Sequence, residues 1–229
     1  MPSCVRFCWL RRDVTRGRHR TGRGQPGFMR HRPFRIGLTG SIGMGKSTAA
    51  AMFRAAGVPV FDADAQVHRL QGPNGALLGA IEARFPGTTG PGGVDRQKLG
   101  GLVIGKPEEM RALERIVHPA VAAARRDFLR RHRSFPIVLL DIPLLFETRG
   151  ERQMDLVVVV SAHPFLQRQR VMRRPGMTQA RFARLNASQV PDHRKRALSD
   201  LVIDAGQPKW RTRARIFRLV ACLRQALVR

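Results

Sequence analysis

The chain has 229 residues, 43% of them hydrophobic, and a formal net charge of +26. That length suits one α/β domain with insertions, and no apolar run approaches the ~20 residues of a membrane span. The three cysteines, Cys4, Cys8 and Cys222, form no C-x-x-C pair and have no spaced histidine partners, which argues against a zinc site or a disulfide framework and fits a reducing cytosol.

Residues 1–33 hold nine arginines and one aspartate. They show no hydrophobic periodicity and no apolar h-region, and they lack the serines and amphipathic pattern of a transit peptide. A disordered basic tail is expected there, and Met29, just before the first strand, offers an alternative start. The high charge invites a nucleic-acid reading. Tyrosine is absent, however, and the 12 phenylalanines are not interleaved with basic residues in the way that stacks bases. Nucleic acid and membrane are therefore not expected as partners; an arginine-biased composition and a polyanionic substrate account for the surplus.

Phe34–Thr39 reads as a short buried strand and Thr48–Arg54 as a helix. Between them, Gly40 to Ser47 spells G-S-I-G-M-G-K-S, a complete G-x-x-x-x-G-K-[ST] loop in its required strand–loop–helix setting. Glycines let the chain turn tightly and set successive N–H groups against phosphate oxygens, at a helix N-terminus whose dipole favours an anion. A nucleoside triphosphate is expected to bind through Gly43, Met44, Gly45, Lys46, Ser47 and Thr48. Lys46 would reach the β/γ-phosphates, and the Ser47 hydroxyl would sit on Mg²⁺.

A second strand, 58–61, runs into Asp62-Ala63-Asp64. Asp64 is the lead candidate for general base towards an accepting hydroxyl. Asp62 suits an N-cap for the helix that follows, or a place near Mg²⁺ or the substrate. Residues 62–136 then form a long excursion without a convincing strand. Helices are expected over 64–70, 75–84, 107–116 and 119–133, punctuated by Gly72-Pro73, Pro86-Gly87 and Gly90-Pro91-Gly92-Gly93. Such an insertion, about 65–133, can fold over a substrate.

Ile137–Leu140 is a strand ending in Asp141, an acid placed to steady Mg²⁺ water. The apolar run that follows, Ile142-Pro143-Leu144-Leu145-Phe146, makes a wall with Glu147 as its polar anchor. Strands at 156–160 and 201–203 complete a set of five, alternating with helices, which argues for a parallel sheet covered on both faces. Residues 165–198 read as a lid of two helices joined at Pro175-Gly176, with arginines facing inward over phosphates. Pro208–Arg229 is an amphipathic helix packed on the sheet. Ligands of such sheets sit at the carboxyl ends of the strands, where Gly40, Asp62, Asp64 and Asp141 fall.

From Arg35 onward the chain resembles the dephospho-coenzyme A kinases. The residues carrying this likeness are Leu38–Ser47 running into Phe61-Asp62-Ala63-Asp64 with His68, then Val94-Asp95-Arg96, Leu113–Pro119 and Asp141–Glu147. Arg174–Thr178, Gln189–Asp192, Lys195 and Ser199–Ile203 complete it. The resemblance implies a P-loop kinase: a three-layer αβα domain over 34–229 with a five-stranded parallel sheet, a helical coenzyme A insertion and a lid. It implies transfer of the ATP γ-phosphate to the ribose 3′-hydroxyl of dephospho-coenzyme A, with Mg²⁺, in a cytoplasmic monomer or weak homo-oligomer. Asp64, Lys46 and Arg174 would carry catalysis, and Asp62, His68, Leu144, Phe146 and Glu147 would hold the acceptor. Ser47 and Asp141 would serve the metal. Ile104 and Ser199 stand where the family leads one to expect Phe and Ala, and Ser188 where a basic residue is frequent. A related kinase acting on a nucleoside or nucleotide is the alternative; a nucleic-acid-stimulated NTPase is the rival from another class.

Overall fold

The computed structural model describes residues 32–227; the tail expectation over residues 1–31 lies outside them. Arg32 at its edge is held, with Nη1 and Nη2 donating to the two oxygens of Asp155 at 2.8 Å each. The chain forms two compact units, one running up to Val60 and resuming at His132, the other Phe61–Arg131.

The first unit is built on a parallel sheet. Its strands are β1 (Phe34–Thr39), β2 (Val60–Asp62, of which Val60 belongs to this unit), β5 (Ile137–Asp141), β6 (Leu156–Ser161) and β7 (Leu201–Asp204), in the order β2-β5-β1-β6-β7. β1 lies between β5 and β6, with Phe34 opposite Ile137 and Ile36 opposite Leu156. β5 and β6, on either side of β1, are buried along their whole length, which is why they read as continuous Val/Ile/Leu runs rather than alternating ones.

Helix α1 (Lys46–Ala55) follows the glycine loop and buries Ala49, Ala50 and Phe53. The last helix, α9 (Lys209–Leu227), packs beside it through Ile216, Leu219, Val220 and Leu223. Arg224 of α9 reaches across to donate from Nη2 to the carbonyls of Ala56 and Gly57, both at 3.0 Å, and so satisfies the exposed end of α1. Between β6 and β7 lie three helices, α6 (Pro164–Met172), α7 (Gln179–Ala187) and α8 (Asp192–Leu198). The sequence suggested two; α8 is short, and Pro191 sets its start rather than ending the segment.

The second unit holds α2 (Ala63–Leu70), α3 (Leu78–Arg84), a hairpin of β3 (Thr89–Gly90) and β4 (Gly93–Val94), α4 (Arg96–Val103) and α5 (Pro107–Arg131). Its core joins Leu77, Ile81, Phe85, Leu99, Val103 and Ala112. Two expectations are corrected here. The helices expected at 107–116 and 119–133 are one 25-residue helix that passes through Pro119. Proline removes an N–H and costs a helix interior about 3 kcal/mol. The apolar residues Met110, Leu113, Ile116, Val117 and Ala120 pack on the core on both sides of the proline and offset that cost. The excursion expected to lack strands contains the small hairpin, and α4 was not foreseen.

Glu82 ties α3 to the hairpin. Its carboxylate accepts Thr89 Oγ1 at 2.6 Å, Thr89 N at 3.0 Å and Gly87 N at 2.7 Å. The Thr89 hydroxyl first, then the Gly87 amide, hold its pKa below the ordinary glutamate value. A depressed carboxyl pKa contributes stability above its unfolded value, and that contribution is lost as pH falls through the folded value. Unfolding of the wild type is therefore expected to lose stability more steeply on the acid side of the glutamate range than Glu82→Gln, as measured by denaturant titration at successive pH values. Parallel pH curves for the two proteins would remove this role.

Candidate active site

The phosphate loop takes its shape from two glycines. Gly43 has φ +79° and Gly45 φ +95°, a region that L side chains rarely adopt. A Cβ on Gly43 would also strike the Val171 methyl and come within 2.9 Å of the Gln167 carbonyl. Gly45 caps α1 without any side chain, and the first turn of α1 contains no acid. The N-terminal amides of α1 and its dipole are thus presented to the loop uncompensated, as an anion seat requires. Ser47 and Thr48 are exposed at this end, while Met44 is buried and its sulfur accepts the Ala162 amide at 3.2 Å.

Lys46 points from the start of α1 to the end of β5, where its Nζ lies 2.6 Å from Asp141 Oδ1. Asp141 is 2% exposed, so the pair is shielded from water on its acidic side. The structure thus brings together two expected residues, one assigned to phosphate and one to metal, as an ion pair.

Beyond β5, Leu144 is 43% exposed and Phe146 half-buried, whereas Leu145 is fully buried. Glu147 turns inward. Its Oε1 accepts the Val190 amide at 2.8 Å and lies 3.0 Å from Lys195 Nζ, a side chain with 0% exposure. Glu147 Oε2 has no hydrogen-bond partner among the described residues. Glu147 therefore anchors the stretch leading into α8; that Lys195 is its buried partner, 48 positions on in the sequence, had no sequence signal beyond the residue's presence in the motif set. Arg173, Arg174, Arg181 and Arg184 are exposed rather than turned inward; half-buried Arg170 donates to the Ala205 carbonyl at 2.8 Å, Arg168 to Gln179 Oε1 at 3.0 Å and Arg181 to the Gly176 carbonyl at 3.3 Å.

In the second unit, Asp62 is the N-cap of α2, accepting the Ala65 amide at 2.9 Å. Asp64 stands exposed in the first turn of the same helix, and no hydrogen bond or ion pair engages its carboxylate among the described residues. His68 lies one turn further along, on the same face by its i, i+4 spacing. Arg96 at the start of α4 donates from Nη2 to His68 Nδ1 at 2.5 Å; arginine has only donors, so this ring nitrogen accepts. Arg96 carried no role in the sequence reading.

No helix among the described residues is long and apolar enough to cross a membrane. Among them, no group of three or more His, Cys, Asp and Glu side chains is arranged to hold a metal.

Comparison with known proteins gives a consistent result. A family model described as Dephospho-CoA kinase matches residues 34–209. A dephospho-CoA kinase of Novosphingobium aromaticivorans is 57% identical over 194 residues, covering 85% of this chain and 96% of that protein. That of Rhizobium meliloti is 51% identical over 191 residues, covering 82% and 97%. Among solved structures, a Thermus thermophilus protein superposes with a TM-score of 0.75 at 34% identity, over 83% of this chain and 97% of its own.

Proposed function

Because the chain belongs to the dephospho-CoA kinase family, we propose how its residues divide the work of passing the ATP γ-phosphoryl group to the ribose 3′-hydroxyl of dephospho-coenzyme A. As a kinase it uses ATP. The observation that carries the residue assignment is the bare, glycine-shaped N-terminus of α1 with Lys46 at its first position.

In this scheme the Gly43–Thr48 stretch cradles the phosphates through those of its amides that the chain leaves open, and Lys46 leaves Asp141 to meet the β/γ oxygens. Asp64 accepts the proton of the 3′-hydroxyl as that oxygen bonds to the γ-phosphorus. The bond from the γ-phosphorus to the bridging oxygen breaks, and ADP leaves with the electron pair. Little covalent work falls to the protein; alignment and charge neutralisation do most of it. Exposed Arg174, at the turn after α6, supplies positive charge to the transferring group. Acceptor binding is assigned to Asp62 and His68 in the Phe61–Arg131 unit, and a contact with the acceptor to Leu144 and Phe146 in the first unit.

Donor chemistry fits Mg²⁺. The Ser47 hydroxyl and Asp141 carboxylate are hard oxygens, and this ion takes only one or two protein ligands beside phosphates and water. Ser47 and Asp141 would hold the ion, which would supply positive charge to offset that of the phosphates.

A coupled assay of ADP release, with ATP fixed and acceptors varied, tests the whole scheme. Release should rise with dephospho-coenzyme A and not with nucleosides or nucleoside monophosphates; comparable turnover on the latter would replace the acceptor. In the same assay Arg174→Ala should lower kcat more than it raises KM for ATP, because a lid arginine acting on the transferring group is felt mainly in the transition state. A pure KM effect would make Arg174 a ground-state contact instead.

A further inference from the structure

One residue of the phosphate loop is held at both its N–H and its carbonyl by side-chain amides. The N–H of Ile42 donates to Gln189 Oε1 at 3.1 Å. The carbonyl of the same residue accepts Gln167 Nε2 at 2.9 Å. Gln167 belongs to α6 and is 6% exposed, and its Nε2 also reaches Asn186 Oδ1 of α7 at 3.3 Å. Gln189 lies two residues beyond the end of α7. α6 and the chain after α7 therefore close on Ile42 from opposite directions. Independent packing says the same: Gly43 lies so near the α6 backbone that no Cβ fits between them.

The grip has a chemical consequence. Ile42 sits immediately before the Gly43–Thr48 stretch, and its amide is taken by Gln189. The Met44 amide is likewise turned to the Ser41 carbonyl at 3.1 Å. The remaining loop amides, from Gly43 and from Gly45 to Thr48, are the ones left for phosphate oxygens. Two glutamines from the segment that carries Arg174 thus decide how the loop enters its anion-binding turn.

We propose that Gln167 and Gln189 are positioning residues that lock the phosphate loop to the α6–α7 lid, so that loop shape and lid position change together and nucleotide affinity depends on both amides. This rests on the reading that ATP seats in the loop. The two amides work with opposite polarity. Gln189 accepts, which a carboxylate can also do. Gln167 donates to two oxygens, which a carboxylate cannot do and which would set like partial charges against each other.

The test is a set of four variants, Gln189→Glu, Gln189→Met, Gln167→Glu and Gln167→Met. Affinity for ADP is measured by calorimetry and steady-state constants by the ADP-release assay, with thermal unfolding as the check on folding. Gln189→Met and Gln167→Met should each weaken ADP binding and raise KM for ATP about tenfold, the effect of leaving a half-buried loop backbone group without its hydrogen bond. KM for dephospho-coenzyme A should stay within about twofold. Gln189→Glu and Gln167→Glu bring the same negative charge to the loop, so their difference reports polarity alone. Gln189→Glu should bind ADP at least fivefold more tightly than Gln167→Glu. Equal affinity in the two Glu variants, or melting temperatures that fall while nucleotide constants hold, would overturn the proposal. Failure of the wild type itself to bind ADP would instead remove the seat on which the proposal stands.

Discussion

Replacing Asp64 by asparagine is expected to cut turnover of ATP with dephospho-coenzyme A by about 10²–10⁴-fold, the range that a positioned general base supplies. The side chain is nearly isosteric, so the cost falls on proton acceptance rather than on shape. Asp62 already satisfies the start of α2 through the Ala65 amide, and the Asp64 carboxylate is left without any capping duty. Loss of its negative charge from the first helical turn should lower stability by only about 0.3–1 kcal/mol. A large fall in kcat with an almost unchanged melting temperature and ADP affinity is the expected pattern. Near-normal turnover in Asp64→Asn would show that another group takes the proton.

Lys46→Met should fail in two separable ways. Chemistry should slow by about 10²–10³-fold, as when a preorganised charge or donor is removed from a transition state. Stability should fall as well, because Asp141 would lose the ammonium now 2.6 Å from its Oδ1 in a site with 2% exposure of that residue. Removing one member of a buried pair costs about 3 kcal/mol, or about 6–12 °C in melting temperature for a chain of this size. The double variant Lys46→Met with Asp141→Asn takes away the second charge too. It should recover most of the melting temperature and none of the activity. A single variant that melts with the wild type would show that the pair adds nothing to the fold.

What the sequence could reveal follows from how local each signal is. β5 and β6 were legible because burial on both faces leaves uninterrupted runs such as Ile137–Leu140 and Val157–Val160, whereas the edge strand expected at 58–61 lies at Val60–Asp62 and is only partly buried. The phosphate loop was legible because eight adjacent residues carry it. The hairpin at Thr89–Gly90 and Gly93–Val94 was not, since two-residue strands built on glycine carry no alternation. α4 was hidden by Gly100 and Gly101, which weaken any helical pattern. α5 misled through Pro119, whose local preference for breaking a helix is overridden by apolar contacts on both sides of it. At the site, residue types and chain order named Lys46, Asp64 and Asp141, but not the ion pair that joins two of them across 95 positions. The inward turn of Glu147 onto buried Lys195 is of the same kind, a three-dimensional fact that leaves no periodicity behind.

Arg224 gives the molecule an order of assembly. It closes the carbonyl end of the helix that starts at Lys46, and 168 positions separate it from Ala56. The far end of that helix is sealed only once a residue 168 positions later is in place, and β1 waits likewise for β5 and β6 on either side. Such remote closures are slow to form. The scaffold beneath the nucleotide seat thus rests on contacts remote in sequence, and a chain cut short of Arg224 carries the complete loop motif without this closure.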